Sequence, residues 1–232
     1  MQNTSEKKQA WLEELGINKS DIDQQNIICQ ENPTTFYIVD DTNKLKYSAE
    51  NIGSMWDWAT KKSSNTFKNS NGDTYKTTII IENIDLNCSE EKQWVPYSLD
   101  SETFDGQNHT ISGIYINNDS TTGGLFKDAT NATVKNIIIE NGYIYTTNAN
   151  GAGLVGRCSG IGNVSIINCV NKAEVYGSAN IGGIVGYIMR PQGNCIIEGC
   201  ANFGKISSAS YCGGIVGRIL NETRHSKYKK LL

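Results

Sequence analysis

Gly123-Gly124-Leu125-Phe126 returns as Ala152-Gly153-Leu154-Val155-Gly156, as Gly182-Gly183-Ile184-Val185-Gly186 and as Gly213-Gly214-Ile215-Val216-Gly217. The apolar anchors Leu125, Leu154, Ile184 and Ile215 lie 29, 30 and 31 residues apart. Two further phrases keep the same phase. Lys135-Asn136-Ile137, Ile167-Asn168-Cys169 and Glu198-Gly199-Cys200 form one series, and Ile144-Tyr145, Val175-Tyr176 and Ile206-Ser207 the other, at spacings of 31 and 31. A fixed period of this size marks a repeat architecture.

Each period holds two or three short runs rich in Ile and Val, broken by glycine or asparagine. Runs of that length read as strands and not as helices. One unit cannot cover its own apolar face, but stacked copies bury a continuous column of Leu, Ile and Val. Strands that return once per turn run parallel to the copy beneath them, so the pattern predicts an all-β fold, a right-handed parallel β-helix rising about 4.8 Å per turn. From Thr78 to Leu220 the period supports roughly five turns, a rod of about 24 Å. A leucine-rich repeat would need a Leu-x-x-Leu-x-Leu frame, and a propeller about four strands in a longer period. Neither pattern is present.

The phase also assigns roles. Asn136, Asn168 and Gly199 share a column, and Asn and Gly share a tolerance for positive φ, so this column reads as a corner. Ile137, Cys169 and Cys200 share the next, where a thiol packs as a small hydrophobe. Stacked Cα atoms about 4.8 Å apart also fall inside disulfide range, so bridging of Cys169 to Cys200 stays open. The seven cysteines, at 29, 88, 158, 169, 195, 200 and 212, include no Cys-x-x-Cys pair. With two histidines, His109 and His225, no zinc-ligand spacing is visible.

The Gly-Gly-Leu/Ile-Val-Gly phrase, followed by the strand Ile166 to Asn171, resembles the GLUG-motif repeats of bacterial surface proteins. Such repeats occur in large adhesin-like proteins and in some streptococcal immunoglobulin A peptidases. Ile84-Asp85-Leu86, Trp94-Val95-Pro96 and Phe104-Asp105-Gly106-Gln107-Asn108-His109 resemble the rungs that lead into them. The resemblance spans residues 45–220 and implies a secreted or wall-attached β-helical module without chemistry of its own. In the peptidase members the catalytic part is a separate domain, and no His-Glu-x-x-His phrase occurs in this sequence. The first repeat departs from the pattern, with Lys127 where later ones have Gly156, Gly186 and Gly217.

Outside the repeat, residues 1–77 read as a small α/β cap. Trp11, Leu12 and Leu15, closed by Gly16, have helical spacing, and Ser20 and Asp21 can start a second helix carrying Ile22. Phe36-Tyr37-Ile38-Val39 reads as a strand, and Ala49 to Thr60 as a helix whose Met55, Trp56, Trp58 and Ala59 form cap core. The expected division is a cap at 1–77, the β-helix at 78–220 and a basic tail or partial turn at 221–232. An open last turn would leave an edge for end-to-end self-association.

A formal charge of −3 supplies no basic stripe, so nucleic acid is not an expected partner. The one locally basic run is Arg218 to Lys230. No stretch reaches the roughly 18 apolar residues of a membrane span. The polar start, Met1 to Lys8, shows no secretory leader, leaving either a cytoplasmic protein or a secreted one whose leader has been replaced. Sequons at Asn108, Asn118 and Asn131 follow from the Asn-rich composition and matter only where secreted proteins are glycosylated.

Three functional readings follow. The leading one is a non-catalytic, secreted or cell-surface interaction module, with a host or cell-surface glycan or protein as partner and no cofactor. Its candidate residues are Tyr145 and Tyr176, which strand alternation turns outward on adjacent turns where they could stack on a sugar or a peptide, or on each other as an aromatic ladder. A polysaccharide lyase or hydrolase is the second reading, and needs carboxylates converging from adjacent turns. The acids at hand are Asp85, Asp105, Asp119, Asp128, Glu140, Glu174 and Glu198, and period alignment sets Glu140 beside Asn171 and Asn202, and Glu174 beside Lys205. No acidic pair stacks in that alignment, and no Asp-x-Asp calcium phrase or other metal site is visible. A purely structural spacer is the third reading.

Overall fold

The computed structural model describes residues 36–39, 55–64, 76–80, 83–118, 122–147 and 150–220. The expected helices within 6–32, Asp119 and the tail 221–232 lie outside the described residues. The chain divides into two units, Met1–Glu82 and Asn83–Leu232.

In the first unit, the expected strand Phe36–Val39 pairs antiparallel with Thr77–Ile80, Phe36 opposite Ile80. The helix runs Met55–Ser63, past the expected end at Thr60, because the good helix formers Lys61 and Lys62 follow with no Gly or Pro to stop it. Met55 and Trp58 are sealed from solvent, and the Trp58 indole N–H donates to the Thr78 hydroxyl at 3.1 Å. That bond satisfies a buried donor and ties helix to strand.

The second unit is a parallel β-solenoid of about four turns. Each turn visits five stacks in order. The first holds Thr103–Asp105, Thr133–Lys135, Val164–Ile167 and Cys195–Glu198. The second holds Ile84–Asp85, Thr110–Ser112, Ile138–Ile139, Val170–Asn171 and Ala201–Asn202. The third holds Ile114–Asn118, Gly142–Thr146, Glu174–Gly177 and Ile206–Ser208. The short fourth stack holds Gly151–Ala152, Ile181–Gly182 and Cys212–Gly213. The fifth holds Tyr97–Asp100, Phe126–Thr130, Val155–Ile161, Val185–Gln192 and Val216–Leu220. Every pairing within these stacks is parallel, with Val155 beside Val185 and Val185 beside Val216.

The glycine phrases are now explained by crowding between rungs. A Cβ on Gly153 would stand 2.0 Å from the Asn171 Oδ1 and 2.7 Å from the Gly183 carbonyl oxygen. On Gly183 it would stand 2.1 Å from the Gly214 carbonyl oxygen. No side chain fits there. The corner column behaves as its residue types require, with φ of 55° at Asn136, 53° at Asn168 and 63° at Gly199.

Between the corners, Leu125, Leu154 and Ile184 form one sealed column, Ile116, Ile144 and Val175 a second, and Phe126, Val155 and Val185 a third. Each such side chain contributes about 1.5–3 kcal/mol by leaving water. At the first turn Phe104 and Phe126 meet edge to face at 5.0 Å, and the Trp94 indole N–H donates to the Leu125 carbonyl at 2.8 Å. In the last described rung the same columns open. Ile206 and Ile215 are half-exposed, and Cys212 is exposed where its stack neighbour Ile181 is sealed.

Inside the second stack runs an amide ladder. Asn171 is fully buried, donates to the Ala173 carbonyl at 3.0 Å and to the Asn202 Oδ1 at 2.8 Å, and accepts from the Ala173 N–H at 3.1 Å. Asn202 repeats the local turn by donating to the Gly204 carbonyl at 3.0 Å. A buried polar side chain is tolerated because its bonds are made internally.

Candidate functional site

The third stack carries the candidate tyrosines. Period-2 alternation sends Ile114, Ile116, Ile144 and Val175 inward, all at or near zero exposure. The intervening residues face out in two columns. Tyr115 lies beside Tyr143 and Tyr143 beside Glu174, while Asn117 lies beside Tyr145, Tyr145 beside Tyr176 and Tyr176 beside Ser207. Tyr145 and Tyr176 are therefore register partners on adjacent rungs.

Their rings do not form the pair that this register suggests. Tyr176 packs on Tyr143, at 5.7 Å between centroids, and Tyr143 packs on Tyr115 at 5.5 Å. The Lys205 ammonium lies over the Tyr176 ring, 5.5 Å from its centroid. Such a cation over a ring is attracted by the negative π-face. The Tyr176 hydroxyl donates to the Glu174 carboxylate. The result is a ladder of three rings, the first contact stacked and the second tilted, with a cation over Tyr176. Tyr145 stands next to it, half-exposed and without a ring contact among the described residues.

The bond to Glu174, then burial, raises the Tyr176 pKa above its ordinary value, and burial followed by Tyr115 raises that of Tyr143. The face thus offers hydroxyl donors and acceptors, one carboxylate, one ammonium and the Asn117 amide. Tyr115 and Tyr143 were not singled out from the sequence, because Tyr143 is in phase with Glu174 on the following rung and its aromatic partner Tyr115 precedes the first glycine phrase. The Tyr-Ile-Tyr alternation at 143–145 was the signal available.

Several acids elsewhere are held by a neighbour. Asp128 meets Arg157 from the next rung, Asp105 meets Lys135 at 3.1 Å and also accepts from the Gln107 N–H at 3.0 Å, and Asp85 accepts from the Asn87 N–H at 2.9 Å. Glu140 requires a correction. Ile139, not Glu140, is the register partner of Asn171, and Glu140 meets Lys172 at 2.8 Å. The Glu174–Lys205 alignment stands, since Val175 pairs with Ile206 one residue later. Tyr97, in the fifth stack, donates to the largely buried Glu102 carboxylate at 2.6 Å, and burial followed by that charge pushes its phenol pKa far up.

Among the described residues no three His, Cys, Asp or Glu side chains converge as a metal site, and no helix is long and apolar enough to cross a membrane. No family model, no curated protein and no solved structure matches this chain.

Proposed function

We propose that this protein is a non-catalytic interaction module of the secreted or cell-surface kind, binding a glycan through the outer face of its third stack. The observation that carries the reading is an outward aromatic face, with the half-exposed Tyr145 and the exposed Tyr143 beside Tyr115 and Tyr176 and among Asn117, Glu174, Ser207 and Lys205. Sugars offer an apolar face to a ring and hydroxyls to a polar rim, and a rigid aromatic supplies contact area at low entropic cost. The resemblance of the glycine phrases to GLUG repeats supports the same placement, and a protein surface is the other partner consistent with it. The half-exposed columns of the last rung are where end-to-end self-association would form.

The enzyme reading has less support. Asp105, Asp128 and Glu140 are each paired across rungs with a cation, whereas glycosidic chemistry needs one proton donor and one carboxylate facing a shared substrate. The spacer reading is favoured by one observation, the ladder whose ring faces and terminal hydroxyl are already satisfied within the protein.

A glycan array separates these readings. Binding to a defined set of oligosaccharides that is lost in Tyr145→Ala and kept in Tyr187→Ala, on the fifth stack, supports the proposal. A flat array with folded protein leaves the spacer reading in place and rejects this one.

A further inference from the structure

Four of the six described cysteines of the solenoid fall into two pairs. Val170 and Ala201 are register partners, and the Ala201 N–H donates to the Cys169 carbonyl at 2.9 Å, so Cys169 and Cys200 occupy equivalent places on consecutive rungs. Rungs about 4.8 Å apart place their Cα atoms inside the range that a disulfide spans. Their thiols are close enough to perturb each other, and each donates to a backbone carbonyl, Cys169 to Ile167 at 3.2 Å and Cys200 to Glu198 at 3.4 Å. A second such pair, Cys158 and Cys195, joins the fifth stack to the first. All four are free thiols.

The pairs differ in access. Cys158 and Cys195 are 0% and 2% exposed, so no reagent reaches either sulfur in the folded protein. Cys169 is likewise sealed at 0%, but Cys200 is half-exposed. We propose that Cys200 and Cys169 form a reactive dithiol site for small disulfides, Cys200 attacking from the surface and Cys169 resolving from the core, which closes a bridge between consecutive rungs.

The chemistry balances without another reagent. The Cys200 thiolate attacks one sulfur of a small disulfide, forming a mixed disulfide and releasing one small thiolate. Cys169 loses its proton and attacks the Cys200 sulfur, forming the internal S–S bond and releasing the second thiolate. Two protein thiols are oxidised, one small disulfide is reduced, and the two thiol protons end on the two small thiols. The proximity of the two thiols favours this polarity. The neighbouring Cys169 thiol, outweighing burial, lowers the Cys200 pKa, while the Cys200 thiol and burial raise that of Cys169. The thiolate is the nucleophile, so the exposed member is the one prepared to attack.

The test uses the folded chain and oxidised glutathione, followed by acid quench, alkylation and peptide mapping. The expected product has a Cys169–Cys200 cross-link, Cys158 and Cys195 still alkylatable after denaturation, and a stable glutathione adduct on the exposed, unpaired Cys212. Dithiothreitol should return the Cys169–Cys200 thiols. In Cys169→Ser the glutathione adduct should persist on Cys200, with at least a tenfold loss of the cross-linked peptide relative to the parent. Two results overturn the proposal: Cys169 and Cys200 both remaining free while Cys212 is modified, or cross-linking at Cys158–Cys195 instead. The first readout needs no variant, so a misfolded substitution cannot rescue the idea.

Discussion

Adding one methyl group at Gly153 should damage the solenoid far more than adding the same group at Gly214, although both glycines occupy the same place in the repeat. At Gly153 the new Cβ would lie 2.0 Å from the Asn171 Oδ1, 2.2 Å from its Cγ and 2.7 Å from the Gly183 carbonyl oxygen. Ordinary contact begins at about 3.5 Å, so something must move by more than an ångström. Overpacking of a closed interior costs about 1–3 kcal/mol. Displacing Asn171 also strains its bonds to Ala173 and Asn202, which adds about 1–3 kcal/mol for buried groups left unsatisfied. The expected loss for Gly153→Ala is therefore about 2–6 kcal/mol, or a fall in Tm of roughly 5–20 °C for a unit of this size. At Gly214 no heavy atom among the described residues lies within 4 Å of the added Cβ. Gly214→Ala should be neutral, or gain about 0.4–1 kcal/mol by restricting the unfolded chain. Thermal unfolding followed by far-ultraviolet circular dichroism reads both. If the two variants melt within about 2 °C of each other, rung crowding is not why the phrase is glycine-rich, and the explanation of the repeat fails.

Other outcomes follow from the same geometry. Asn171→Ala should lower stability to urea by about 2–4 kcal/mol, because the Ala173 N–H and carbonyl lose their side-chain partner inside the core, whereas Asn202→Ala in the half-exposed last rung should cost under half as much. Arg157→Ala breaks a half-exposed ion pair with Asp128 and should cost only about 0.2–1 kcal/mol, with a smaller difference in high salt. Tyr97 should make stability fall at alkaline pH. Its folded pKa lies above the unfolded one, so its contribution is fully present below about pH 10 and is lost as pH rises toward the folded value. Tyr97→Phe should make the alkaline limb of a stability–pH curve shallower, and an unchanged limb would show that this phenol is not buried against Glu102.

The solenoid was legible because its two strictest requirements leave a mark on residue type. Crowding between rungs admits only glycine at Gly153 and Gly183, and the left-handed corner admits Asn or Gly at Asn136, Asn168 and Gly199. Both columns can be seen without coordinates. Register within a turn was harder to see. The second-stack partners Ile139 and Asn171 are 32 residues apart, but the third-stack partners Ile144 and Val175 are 31 apart. A uniform period of 31 therefore slips by one between these stacks. That slip hid the Glu140–Lys172 ion pair and set the amide ladder against the wrong neighbour. Outward strand faces were legible, but ring choice was not, since Tyr176 can lean along or across its strand and the Lys205 side of the ladder decides which. The contact between Cys158 and Cys195 joins two different stacks, so no period search could place it.

The central functional claim is that the third stack binds without turning its ligand over, and an amide-resolved NMR titration with an oligosaccharide from the array tests it most directly. The account predicts shifts confined to residues around Tyr115, Tyr143, Tyr145, Tyr176 and Lys205, with the oligosaccharide recovered at its original length. Shortened or unsaturated products, or shifts centred on another face, would contradict it.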